Sequence, residues 1–117
     1  MPVRGIRGAT KVPENTKEAI LFSTAELLQG IIEQNQLTPD DIVSIIFTST
    51  EDLTAEFPAV AARRLGLSSV PLLRCRELSV EGAMERVIRV LLHVESDSQP
   101  LTHVYLGEAR SLREDIT

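Results

Sequence analysis

The chain of 117 residues contains no tryptophan, one tyrosine and three phenylalanines, so its core has to be built from aliphatic side chains. A single cysteine, Cys75, excludes an internal disulfide, and with only two histidines there is no Cys/His cluster of metal-ligand spacing. Basic residues are in deficit: the formal net charge is −5, which argues against nucleic acid or a membrane surface as the main partner. Any anion site must therefore be local. No apolar run reaches the length that spans a bilayer, and the N-terminus has no apolar stretch of the signal-peptide kind, so a cytoplasmic location is expected. At this length one domain covering residues 1–117 is expected, with a flexible tail from about residue 109.

What is present is organised around Glu85-Arg86-Val87-Ile88-Arg89-Val90-Leu91-Leu92-His93-Val94. This run is apolar on both faces and rich in branched side chains, the pattern of a strand in the middle of a sheet. Alternation sends Ile88, Val90, Leu92 and Val94 one way and Val87, Arg89, Leu91 and His93 the other. Arg89 is thus set among apolar neighbours, and a guanidinium that cannot lose its proton needs a carboxylate or an anionic ligand there. Both an internal Arg–Glu pair and a binding site satisfy that requirement.

Taken in order, Val3 to Thr10 predicts a first strand in which Arg7 shares a face with Gly5 and Ala9, and glycine in a strand marks a close approach. Arg7 is either a solvated cation near a terminus or part of a site. A helix opens at Asn15 or Thr16 as N-cap, with Glu18 completing a capping box if Asn15 is the cap. Its stripe runs through Ile20, Leu21, Leu27, Leu28, Ile31 and Ile32, and Asn35 is its stop. Thr38-Pro39-Asp40-Asp41 gives one short helical turn. Ile42 to Thr50 is a second strand, Glu51 to Glu56 a loop, and Phe57-Pro58 begins a second helix that runs to Leu65 and ends at Gly66. On that helix Val60, Ala61 and Leu65 face the core, while Arg63 and Arg64 point to solvent or a partner subunit.

Val70-Pro71-Leu72-Leu73 reads as an edge strand or extended connection because proline cannot complete a central ladder. Glu77, which follows Arg74-Cys75-Arg76, is a reasonable partner for Arg89. Cys75 has no histidine or aspartate motif with it, which makes it an unreactive small side chain. Ser96 to Pro100 is a turn cluster, and His103 to Gly107 a last strand pairing by hairpin with the central one, Val104 and Leu106 toward the core. Arg7, Arg89, Tyr105, Glu77 and Arg113 together supply cations, a carboxylate and a hydroxyl, but no nucleophile with its base, no metal ligands and no glycine-rich phosphate loop. His93 and His103 are each either a general base or a structural histidine. A catalyst and a regulatory anion sensor both fit this set.

Several stretches, in order and at compatible spacing, resemble the small trimeric bacterial chorismate mutases of the AroH type. They are Val3 to Thr10, Glu51-Asp52-Leu53, Phe57-Pro58-Ala59, Arg63, Val70-Pro71, Glu77, Val87 to Val90 and His103 to Leu106. The resemblance implies an α+β fold, a mixed β-sheet flanked by helices, with three subunits packed as a pseudo-barrel homotrimer and sites in the clefts between them. It implies conversion of chorismate to prephenate by a Claisen rearrangement, on the route to Phe and Tyr, with no cofactor and no metal. By the same resemblance Arg89 would bond the ether oxygen, Arg7 and Tyr105 would hold a carboxylate, and Glu77 would accept from the ring hydroxyl. Phe57, Ala59 and Arg63 would come from the neighbouring subunit. Leu72, Leu73 and the backbone around Arg74 and Cys75 would line the floor, and Leu112 and Arg113 would close over the pocket. The chain departs from the family twice: Arg74 stands where a gapless alignment puts cysteine, so Cys75 falls one place late, and Val60 replaces a lysine at the pocket mouth of some relatives. The rival function is a non-catalytic, trimeric regulatory protein that binds small anions.

Overall fold

A computed structural model describes residues 2–97 and 100–116. Five strands form one mixed sheet: β1 (Val3–Lys11), β2 (Ile42–Ser49), β3 (Leu72–Arg76), β4 (Val87–Glu95) and β5 (Val104–Tyr105). Their spatial order is β3-β2-β4-β1-β5, so the strand that carries Arg89 is the middle one. β4 runs antiparallel to both neighbours, β1 and β2. The outer strands β3 and β5 are parallel to β2 and β1 respectively.

Two helices, α1 (Lys17–Gln34) and α2 (Ala59–Arg64), cover one face of the sheet. There Ile20, Leu27, Leu28 and Ile31 of α1 pack on Ile6, Ile45, Phe47, Ile88 and Leu92, all essentially without solvent contact. Leu21 and Ile32 of the anticipated stripe are only partly buried, and Ser23 and Thr24 take places on the buried side. The Thr24 hydroxyl stays satisfied by bonding the Ile20 carbonyl at 2.7 Å. Thr16 is the N-cap, accepting from the Ala19 N–H at 3.1 Å. Asn15 and Glu18 therefore form no capping box; the Asn15 side chain instead accepts from the backbone of Thr54 and Ala55 and ties down the loop before α2.

The helix after Phe57-Pro58 starts at Ala59, two residues late, and its buried positions are Ala59, Ala61 and Ala62, with Val60 half-exposed. Gly66, at φ +88°, ends it as its sequence position suggested. β3 is the anticipated edge strand, displaced by two residues toward the C-terminus.

The last strand departs from the hairpin expectation. β5 does not pair with β4; two residues of it lie parallel to the outer edge of β1, Gly8 opposite Val104 and Ala9 opposite Tyr105. Both edges of β4 are already taken, so the returning chain adds to the free edge of β1 instead. Asn35, the C-cap of α1 and buried, guides it there: its amide donates to the Thr102 carbonyl and its oxygen accepts from the Thr102 N–H. Of the turn cluster before it, Ser98 and Gln99 lie outside the described residues. After β5, Gly107–Ile116 forms 3-10 turns interrupted at Arg113 and packs Ala109 and Leu112 on Ala9 and Tyr105. Among the described residues no helix is long and apolar enough to cross a membrane.

Among the described residues the second sheet face carries no α-helix, only the 3-10 turns that pack over Ala9 and Tyr105. It presents Arg7, Arg89, Leu91, His93, Ile46, Thr48 and Leu73, several of them at least half-exposed. A bulge at Val43 decides what β2 shows there: Ile42 pairs with Val94 on the helix side, yet Ser44 pairs with His93 on the bare side.

Gly8 sits where β1 meets both α1 and β5, and a Cβ built on it would lie 2.8 Å from Ile31 Cδ1 and 3.0 Å from the Val104 carbonyl oxygen. Because the latter is backbone held in the parallel ladder, Gly8→Ala is expected to cost about 1–3 kcal/mol, seen as a lower urea midpoint at unchanged m-value.

Candidate active site

One row of register partners crosses the bare face: Cys75, Thr48, Arg89, Ala9 and Tyr105, from β3 through β2, β4 and β1 to β5. Side chains in register point to the same side, so the fold itself turns Thr48, Arg89 and Tyr105 toward one space, with Cys75 at the far end of the row. Arg7 stands two residues before Ala9 on the same face. Ala9 in the middle of the row is small and fully buried, which lets Leu112 and Ala109 settle on it and brings Arg113 to the rim. Lys11 secures that segment through an ion pair with Glu108 at 3.3 Å.

The result is a cavity of about 370 Å³ lined by Arg7, Glu77, Arg89, Tyr105 and Arg113, together with Thr48, Ile46 and Leu91. Glu77 follows β3 directly, and its N–H donates to the Ser49 carbonyl at 2.9 Å, which continues the ladder by one bond and fixes where its carboxylate starts. Glu77 Oε1 lies 3.1 Å from Arg89 Nε, the carboxylate partner that a guanidinium on a central strand needs. This contact is ionic only: Nε is buried, yet its N–H is not directed at the carboxylate well enough to make a hydrogen bond. The Arg89 side chain as a whole is 38 % exposed, so the part open to the cavity lies beyond Nε. The other Glu77 oxygen, Oε2, accepts from the Thr48 hydroxyl.

Cations dominate the opposite rim. The Arg7 backbone N–H donates to His103 Nδ1 at 2.9 Å, which uses the histidine as a fixed acceptor. Burial, and then the Arg7 and Arg113 guanidiniums, lower the His103 pKa from its ordinary 6.5, so the ring is neutral and adds no further positive charge. Arg113 forms a two-point pair with Asp115 at 2.8 and 3.0 Å. That hydrogen-bonded pairing raises the Arg113 pKa and lowers that of Asp115. His93, the other histidine weighed as a base, lies away from this cavity and bonds Ser44 Oγ across the strands at 2.9 Å.

The remaining anticipated residues are not gathered at this cavity by the single chain. Phe57, Arg74 and Cys75 line a separate cavity of about 580 Å³ at the β3 edge. There the Arg74 guanidinium lies 4.0 Å over the Phe57 ring, a cation–π stack. Arg63 is exposed on α2. Ala59 is 2 % exposed, so its methyl belongs to the core and only its backbone can meet a ligand. Leu72 packs on the core, whereas Leu73 is on the bare face and 59 % exposed. Leu112 packs beside Tyr105.

Thr48 and His103's acceptor role were not anticipated from the sequence. The sequence signal for Thr48 is weak: it is a hydroxyl residue in a largely apolar strand that also holds Ser44 and Ser49.

A mixed sheet with α-helices on one side, and a cation-rich cavity with one carboxylate on the other, defines an α+β protein. Comparison with known proteins narrows the class. The chain belongs to the chorismate mutase type I family, which it matches over residues 3–116. It is 49 % identical to chorismate mutase AroH of Thermus thermophilus, over 97 % of this chain and 96 % of that protein. With chorismate mutase AroH of Bacillus subtilis (strain 168) the identity is 42 %, over 100 % of this chain and 94 % of the other. Its fold matches a chorismate mutase from Clostridium thermocellum with a TM-score of 0.90 and 46 % identity, covering 92 % of this chain and 98 % of that one.

The His103 environment makes stability depend on pH. Between its lowered folded pKa and 6.5 the unfolded chain holds a proton that the folded one does not, so stability falls as pH drops below 6.5. His103→Asn keeps an acceptor for the Arg7 N–H but cannot titrate, and urea unfolding as a function of pH should lose this component of its slope. An unchanged slope would assign it to other groups.

Proposed function

We propose that the reaction of this chorismate mutase, isomerisation of chorismate to prephenate, takes place in the cavity between Arg7, Glu77, Arg89 and Tyr105. The observation that carries this reading is the combination of Arg89 and Glu77 at 3.1 Å with two further cation- or hydroxyl-bearing side chains around one space. In the rearrangement one C–O bond breaks as one C–C bond forms within a single molecule, and no atom is exchanged with the protein. The catalyst needs only to hold a flexible diacid compactly and meet the negative charge that gathers on the ether oxygen.

Arg89 is assigned to that oxygen because the side chain reaches the cavity beyond its buried Nε. Arg7 and Tyr105 are assigned to one carboxylate and Glu77 to the ring hydroxyl, with Leu112 and Arg113 closing the rim. Phe57, Arg63, the Ala59 backbone, Leu72, Leu73 and the backbone of Arg74 and Cys75 are assigned to the site of an adjacent copy. Two features support a homotrimer with shared sites: Phe57, Arg74 and Cys75 line a different cavity of the chain from Arg89, and the face without α-helices leaves Val3 and Leu73 each 59 % exposed. A cytoplasmic enzyme acting in aromatic amino-acid biosynthesis completes the proposal.

Loss of the conjugated diene absorbance of chorismate is the direct assay, and no decay would return the chain to the anion-sensor reading. Arg89→Lys should lower kcat by roughly a hundredfold or more with the fold kept, since an ammonium cannot offer the planar fork. Near-normal turnover would remove Arg89 from the chemistry. Sharing between copies is tested separately: Arg63→Ala and Arg89→Lys, each impaired alone, should regain activity when unfolded and refolded together. Activity equal to the average of the two parents would mean that each chain holds its own complete site.

A further inference from the structure

We propose that Thr48 is a positioning residue for this reaction: its hydroxyl tethers Glu77 so that the carboxylate cannot close onto Arg89. The inference rests on the assignment of Glu77 and Arg89 to the substrate and goes beyond it by naming what keeps the pair apart.

A carboxylate 3.1 Å from a guanidinium would ordinarily rotate to accept two parallel N–H bonds, the geometry that Arg–carboxylate pairs favour. Here it does not, and the buried Arg89 Nε is left without a directed hydrogen bond. The other carboxylate oxygen accounts for this, because it is bonded to the hydroxyl of Thr48 on the strand directly across from Arg89. The Glu77 backbone is fixed as well, by its N–H bond to the Ser49 carbonyl, so side-chain rotation is its main remaining freedom. Thr48 restrains it: a β-branched side chain on a strand has restricted χ1, which makes its hydroxyl a stiff anchor. With that anchor removed, Glu77 is free to take both donors of the fork, and the positive charge meant for the ether oxygen is spent on an internal partner.

Thr48 also lines the cavity, but the effect assigned to it runs through Glu77, so a Glu77→Ala background separates that effect from direct contact or a structural role. Thr48→Val is nearly isosteric and suits a strand; if it fails to fold, Thr48→Ala replaces it. The expected result is a fall in kcat of about fivefold or more with KM changed by less than about twofold, and recovery to within about twofold in Thr48→Ser. In a Glu77→Ala background the same substitution should lose its effect, read as affinity for a bicyclic diacid shaped like the rearranging molecule, measured by calorimetry.

Turnover of Thr48→Val within about twofold of the parent, a change in KM alone, or an equal loss in the Glu77→Ala background would overturn the tether. These results are distinct from failure of the site reading, which Arg89→Lys decides by itself.

Discussion

A guanidinium on the central strand of a sheet has to be met by negative charge, and most of the bare face follows from how this protein meets that need. Glu77 is delivered from the end of the edge strand, two strands away, by one backbone bond that prolongs the β2–β3 ladder. It neutralises Arg89 incompletely, because its second oxygen is bonded to Thr48. The pair therefore lies between a buried structural ion pair, which would be closed and dry, and an exposed one, which would be loose and screened. An incompletely satisfied cation in a cavity attracts a further oxygen, and for the proposed chemistry that oxygen is one that becomes more negative as the bond to it lengthens.

The sheet divides its two tasks between its faces. The helix side holds the aliphatic core, which is tight enough that Gly8 has no room for a methyl. The other side carries the polar groups; strand register sets the relative positions of Arg7, Thr48, Arg89 and Tyr105, while Glu77 and Arg113 are held on segments just beyond strand ends. Side chains on adjacent strands of a well-packed sheet shift little relative to one another, so the arrangement needs little reorganisation as charge develops. For a reaction with no proton relay and no covalent step, that fixed electrostatic frame is most of what a protein can contribute.

Much of this was legible in the sequence, and the parts that were not have a common cause. The central strand, the carboxylate partner of Arg89, the capped first helix and the glycine that ends the second all follow from local patterns that sterics and hydrogen bonding impose. Thr48 was missed because the bulge at Val43 reverses the alternation of β2; without it, Thr48 would share a face with the buried Ile42. No propensity records a bulge in advance. The final strand was assigned to β4 because a short loop between strands favours a hairpin, but β1 and β2 had already claimed both of its edges. The roles assigned to Phe57 and Arg63 depend on the family likeness, since the single chain holds them away from the cavity that contains Arg89.

The placement of β1 bears on how the protein is made. Its ladder partners are residues 87–95 on one side and 104–105 on the other, so β1 is made well before the strands that give it its place. Contacts of such sequence separation form slowly and favour completion of the chain before closure. A nascent or truncated product that ends before Val104 would carry Arg7 without Tyr105 or Arg113 beside it. Translation itself thereby withholds the assembled polar cluster until the segment from Val104 to Arg113 has been made.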